Sequence, residues 1–265
     1  MTDLALDGAA RASSRFASAF SGMLRAALAT YRLGGRTLLA APAIVAVAVL
    51  PEIAQHGAEI HLGMFASKDA FRAAAEDPLR WAFAYPKVAG FTLAILLTAR
   101  FWALGSVRKA FLIGPATLGR VLFAFALTLA AELPFNWAKE ASGSTLLDGA
   151  LTGGSVLLQA GLLVYLVAAL LEDRAVTLRT AFAERWPTAL LITLLGALAL
   201  VPAQMLHQAN HLAAMGQPLT VVWALMLFDS LWVGLMAALL GAALFVGFFA
   251  GPTWRGWSVR PVDIA

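Results

Sequence analysis

The chain has 265 residues, 61% of them apolar and only 13% charged, with a formal net charge of +4 at neutral pH. Soluble domains sit nearer half apolar and a quarter charged, so this composition excludes an ordinary water-soluble globule. Cysteine is absent, which excludes a disulfide framework and a thiolate metal site. The basic residues flank apolar runs and form no single basic face, which speaks against nucleic acid as a partner.

The apolar excess is concentrated in long runs such as Leu151 to Leu171 and Leu190 to Met205. A bilayer core about 30 Å thick takes roughly 20 such residues per helix. The alternation of a transmembrane barrel is missing, so the expected fold is all-α integral membrane, a single polytopic domain over 1–265.

Residues 1–14 read as a small, polar, frayed start. Asp3 and Asp7 stand where a signal peptide would be basic, and no long apolar run begins before Leu38. From Arg15 to Tyr31, Phe16, Phe20, Met23, Ala27 and Tyr31 recur at helical spacing among Arg15, Arg25 and Arg32. That pattern predicts an amphipathic helix lying in the interface. The first span is expected over about 37–55, crossing Pro42 and Pro51. A polar stretch, 56–82, follows. The remaining spans are expected at about 86–105, 120–137, 151–171, 188–206 and 219–250, which makes six transmembrane helices in all.

Lys and Arg crowd the side that holds the N-terminus, among them Arg25, Arg32, Arg36, Arg108, Arg120, Arg174, Arg179, Arg255 and Arg260. The opposite side carries fewer, Lys68, Arg72, Arg80, Lys87 and Lys139. By the positive-inside rule both termini are cytoplasmic, in a bacterial inner membrane. A basic residue, an apolar run and then Leu/Val-Pro recur at Arg36 to Pro51, Arg120 to Pro134 and Arg185 to Pro202. This suggests a threefold internal repeat over 15–105, 106–171 and 174–250, with a site on its axis.

No HExxH, GxSxG, Walker or dinucleotide motif is present. Charges inside spans mark functional candidates, here Arg100, Glu132 and Asp229. Asp229 is either buried near mid-bilayer or a cap at the outer interface, depending on where the last span enters. His207 and His211 share a helix face at the spacing that chelates a metal. Glu52, His56 and Glu59 share a face by the same count, and His56 and His207 each stand five residues after a repeat proline. The candidate metal ligands are therefore His207, His211, His56 and Glu52, with interfacial tolerance of histidine as the alternative. No cofactor is required by the pattern, although it allows a transition metal.

The segment Leu178-Arg179-Thr180-Ala181-Phe182-Ala183-Glu184-Arg185-Trp186 resembles a basic amphipathic lead-in of certain bacterial inner-membrane proteins. These are the uncharacterised YciC-like proteins and the membrane domain found before glycerophosphodiester phosphodiesterases. The resemblance implies a six-helix inner-membrane module without catalytic residues of its own, and it assigns no residue a role. The leading expectation is thus a non-enzymatic binding, assembly or lipid-organising module whose partners are membrane lipids and other membrane proteins. The alternatives are a small transporter or channel using the intramembrane charges, and a metal- or haem-dependent membrane enzyme using the histidines.

Overall fold

The structure is a computed structural model that describes residues 2–251, with side chains from Phe20 onward. The side chains of Arg15 and Phe16, and the C-terminal Trp254, Arg255, Trp257 and Arg260, lie outside the described residues. Among the described residues there is no strand, and ten α-helices follow one another. They are α1 (Thr2–Ala40), α2 (Pro42–His61), α3 (Lys68–Ala73), α4 (Pro78–Leu104) and α5 (Val107–Phe111), then α6 (Pro115–Ser142), α7 (Thr145–Leu170), α8 (Leu178–Ala183), α9 (Trp186–Ala214) and α10 (Leu219–Ala250).

Six of these, α2, α4, α6, α7, α9 and α10, are long and apolar enough to cross a membrane, as a multi-pass membrane protein requires. Their outward faces agree with that. Leu129 is 70% exposed and Leu146 is 85% exposed, and a contiguous surface of such residues is tolerated in lipid and not in water.

The first span differs from its expected position. Pro42 does not interrupt it but starts it. Ala41, the residue before proline, is pushed off the helical region to φ −143° and ψ 54°, which ends α1. The span therefore runs to His61, and the start of the supposed polar loop is its last two turns. Helix α1 also differs from an interfacial helix on its own. Ala26, Thr30, Leu33 and Thr37 form a buried stripe at helical spacing, and α1 packs along α10.

Helix α10 is the hub, packed by α9, α4, α2 and α1. Lipid tails are as apolar as leucine, so packing and polar contacts must drive helix association there. Small residues on α10 provide the packing. Gly234 meets Val45 and Val49 of α2, and Gly241 meets the Ile95 carbonyl and Thr98 of α4. The α6–α7 hairpin stands to one side and joins the bundle through α7 against α9 and α10.

The internal prolines free carbonyls that neighbouring helices then use. Pro202 has no N–H for the Leu198 carbonyl, and the Tyr31 hydroxyl of α1 donates to that oxygen at 2.6 Å. Pro51 likewise frees the Val47 carbonyl, against which Gly90 of α4 packs so closely that no Cβ would fit. These are the local repairs that let proline persist inside membrane helices.

A Cβ at Gly241 would lie 2.5 Å from both the Ile95 oxygen and Thr98 Cβ. Gly241→Ala is therefore expected to destabilise the bundle by about 1–3 kcal/mol, the usual range for overpacking. Gly149 of α7 has nothing within 4 Å of its would-be Cβ, and Gly149→Ala should raise stability by up to about 1 kcal/mol through helix propensity. Thermal unfolding in detergent measures both. Equal melting temperatures for the two variants would show that α10 does not pack on α4 as described.

Candidate metal centre

The densest polar cluster lies where α2, α4, α9 and α10 converge. Helix α2 contributes Glu52, Gln55, His56 and Glu59, all of them buried. The spacing of 52, 56 and 59 puts these three on one helix face, and the extension of α2 to His61 turns that face inward. Helix α10 contributes Asp229, which is 0% exposed. Helix α9 contributes His207, Asn210 and His211, one turn apart. Helix α4 adds Arg80 and Lys87 at the rim.

Asp229 is the centre of this group. His207 Nδ1 donates to its Oδ2 at 2.6 Å, and Asn210 Nδ2 donates to its Oδ1 at 2.8 Å. His56 Nε2 stands 3.3 Å and His211 Nε2 3.7 Å from the same Oδ2. Helices α2 and α9 cover the Asp229 carboxylate, which is buried whatever its depth. Its partners are these histidines and Asn210, and not Arg100.

His56 is held from both sides. Its Nδ1–H donates to Glu59 Oε2 at 3.0 Å. Glu59 is itself fixed by Gln55 Nε2 at 3.1 Å and lies 3.4 Å from Arg80 Nε. A carboxylate on one ring nitrogen is the arrangement that orients a histidine for a metal on the other. The other nitrogen, Nε2, lies 3.2 Å from Glu52 Oε1 and 3.3 Å from Asp229 Oδ2.

Several of these buried atoms have no hydrogen-bond partner: His56 Nε2, His211 Nε2 and both oxygens of Glu52. Lys87 Nζ stands 2.7 Å from Glu52 Oε1. That leaves Glu52 Oε2 as the oxygen with no partner. Buried polar atoms are almost always partnered, so a group of them facing one another calls for a specific cause. Two ligand sets exist here, His56 with His211 and Asp229, and Glu52 with His207 and Asp229. Within each, one donor atom per residue lies within 4.8 Å of the others.

The structure thus brings together all four sequence-stated ligand candidates, His56, Glu52, His207 and His211, and adds Asp229. The ring centroids of His56 and His211 are 5.1 Å apart, and those of His207 and His211 are 4.7 Å apart. His61 is exposed and takes no part. The expected threefold axis does not carry the site: α6 and α7 supply none of its residues. Lys87, one of the basic residues assigned to the opposite side, is the ion-pair partner of Glu52.

The other two intramembrane charges lie elsewhere. Arg100 is 2% exposed and donates to the Ala110 carbonyl at 3.2 Å, the Leu170 carbonyl at 2.5 Å and Glu172 at 3.2 Å. It satisfies carbonyls left over at the ends of α5 and α7, a structural clamp. Glu132 of α6 accepts from Ser155 Oγ at 2.6 Å and Gln159 Nε2 at 3.0 Å, both on α7. Arg100, Glu132 and Asp229 therefore line no common path.

No family model matches the chain, and neither a curated protein nor a solved structure matches it. The functional reading consequently rests on this cluster.

Removing one member of a buried charged network leaves the others uncompensated, at about 3–5 kcal/mol. Asp229→Leu is expected to lower stability by that much, read as detergent melting temperature. Glu132→Gln keeps an oxygen acceptor for Ser155 and Gln159 and should leave the melting temperature nearly unchanged. An Asp229→Leu variant as stable as the parent would mean that the four-helix cluster does not form.

Proposed function

We propose that this multi-pass membrane protein binds one divalent first-row transition metal ion in the α2–α4–α9–α10 cluster and acts as a metal-dependent membrane enzyme. The observation that carries this reading is the convergence of buried imidazole nitrogens and carboxylate oxygens, His56 Nε2, His211 Nε2 and Glu52, around Asp229, with Glu52 Oε2 accepting no hydrogen bond. Nitrogen and carboxylate oxygen without sulfur suit zinc, iron or manganese. A histidine, histidine, carboxylate set leaves coordination positions open, as catalytic sites do and closed structural sites do not. His56, His211 and Asp229 would hold the ion and Glu59 would orient His56. Glu52, with its free oxygen beside His56 Nε2, would accept a proton at the open position. The ion would supply Lewis acidity there.

Charge balance favours one ion over two. Glu52, Glu59 and Asp229 face two fixed cations, Lys87 and Arg80. With neutral histidines as ligands, one divalent ion leaves a single excess charge that a bound hydroxide cancels. Two ions would leave three, and uncompensated charge in a low-dielectric bundle is costly. A haem does not fit, because the histidine rings touch one another and leave no gap for a macrocycle. The non-enzymatic module is the weaker reading: a purely packed bundle gains nothing by burying three carboxylates, each costing several kcal/mol to desolvate. A transporter remains the second reading, favoured by one observation: the two ligand sets share Asp229, so an ion could pass from one to the other.

Protein purified without chelator should carry about one equivalent of metal, and cobalt substitution should give the visible bands of a low-coordinate nitrogen and oxygen site. His56→Ala combined with His211→Ala should abolish both. A wild-type protein that takes up no ion, from the cell or from added zinc, cobalt or manganese, would sink the proposal. Metal flux into proteoliposomes without turnover would select the transporter. For topology we propose cytoplasmic termini in a bacterial inner membrane, with Ala75, Ser144 and Gln217 on the outer side. Reporter fusions at those positions should read external, and a cytoplasmic signal at Ser144 would reverse the assignment.

A further inference from the structure

A second polar feature lies apart from the metal cluster, at the end of the bundle that holds Arg100 and Glu172. A pocket of about 440 Å³ is lined by Arg120, Arg174 and Arg179, with Tyr165, Val176 and Leu178 as its less polar walls. The three arginines come from three places: the second turn of α6, the α7–α8 connection and the first turn of α8. The fold has therefore converged them, and they are not a run in the sequence.

Two of them are held in place by little else. Arg120 donates to the Asp173 carbonyl at 3.2 Å and lies 6.0 Å over the Tyr165 ring. Arg174 and Arg179 are exposed, and among the described residues no carboxylate lines the pocket. The nearest acids along the chain are already engaged: Asp173 accepts from the Ala175 amide at 2.9 Å, and Glu172 pairs with Arg100 at 3.2 Å. Three arginines lining one cavity give it a positive potential that favours an anion. The planar fork of arginine matches phosphate oxygens in particular.

The surroundings decide which anion. On the same end of α6, Leu118, Leu122 and Phe123 are 46%, 58% and 53% exposed. Phe123 sets its edge against Tyr165, the floor of the pocket. A cationic pocket thus opens directly beside an apolar, lipid-facing helix surface. Free phosphate would use only the first part of that surface, whereas a phospholipid would use both. Basic pockets between membrane helices on the positively flanked side are the arrangement that binds anionic lipid headgroups.

We propose that Arg120, Arg174 and Arg179 form a headgroup site for an anionic phospholipid, its phosphate on the arginines and an acyl chain along Leu118, Leu122 and Phe123 of α6. This site is independent of the metal reading, since it shares no residue with that cluster.

The test uses delipidated full-length protein in neutral detergent. Binding of phosphatidylglycerol, phosphatidylcholine and inorganic phosphate is followed by native mass spectrometry and by the shift in melting temperature. Phosphatidylglycerol should bind and stabilise; phosphatidylcholine and inorganic phosphate should do neither. Arg174→Gln with Arg179→Gln touches no described internal bond and should fold normally. At about fivefold per arginine, it should weaken phosphatidylglycerol binding on the order of 25-fold. A matched control, Lys68→Gln with Arg72→Gln, removes the same charge on α3, away from the pocket, and should leave binding intact. Equal stabilisation by phosphate and by phosphatidylglycerol would overturn the lipid assignment. Equal loss in the α3 control would reduce the effect to net charge and overturn the pocket.

Discussion

The structure depends on one constraint: a carboxylate stands buried within the most apolar of the six long helices and has to be satisfied there. Asp229 is 0% exposed within α10, between Val222 and Val233 on the inward face. An ionised carboxylate in such a place costs at least a few kcal/mol unless other groups answer it. The answer comes from α9, through His207 and Asn210, and from α2, through His56. Those partners must lie at one level along three helices. The close contacts of Gly234 with α2 and of Gly241 with α4 let α10 approach near enough for short side chains to meet. Packing and polar satisfaction are thus two sides of one requirement.

Much of this was legible in the sequence. Six helices long and apolar enough to cross the membrane follow from hydropathy alone, and the i, i+4 spacing of His207 and His211 is a local signal. The shared face of Glu52, His56 and Glu59 is equally local. What misled was the end of the first span. A hydropathy window ends where charges begin, so His56 to His61 read as the start of a polar stretch. The helix continues because those charges are answered by other helices: Lys87 for Glu52 and Arg80 for Glu59. Pro42 carried the correcting signal, since proline at the first turn of a helix is favourable and moves the span by five residues from its expected start.

The contact between Asp229 and the histidines was not legible, because it joins residues far apart in the chain, and a single sequence holds no record of which helices are neighbours. The proline spacing related two of these residues. It placed His56 and His207 at corresponding positions, and they do meet at Asp229. Lys139 stands five residues after Pro134 in the same way, yet α6 and α7 pack to one side and supply nothing. Arg100 shows the opposite case. A buried arginine suggested function, but its donors are used up on carbonyls of Ala110 and Leu170 and on Glu172. A charge whose bonds are all internal explains itself; Glu52 Oε2 and His211 Nε2 do not.

Helix lengths bear on where the cluster lies. From Asp229 to Ala250 at about 1.5 Å per residue is roughly 32 Å, enough for one hydrocarbon core. On α9 the distance from Trp186 to His207 is about the same. Both helices therefore leave about one hydrocarbon-core length between the site and one of their ends. Helix α2 gives a different depth: Glu52 and His56 are only about 15–21 Å from Pro42. The three agree if α2 begins inside the membrane, and α1 makes that reasonable. Its buried stripe packs along α10 and brings the chain partway up the bundle before Pro42. The cluster would then sit at headgroup level yet sealed by protein, with Phe65 against His211 at 5.8 Å and its carbonyl held by the Gly216 amide at 2.8 Å. At that level ions and water are at hand outside, while the interior stays dry enough for each polar contact to count. The choice between a mid-membrane carboxylate and a surface cap was therefore too narrow. It turned on depth alone, whereas what satisfies Asp229 is the set of neighbouring helices of the same chain.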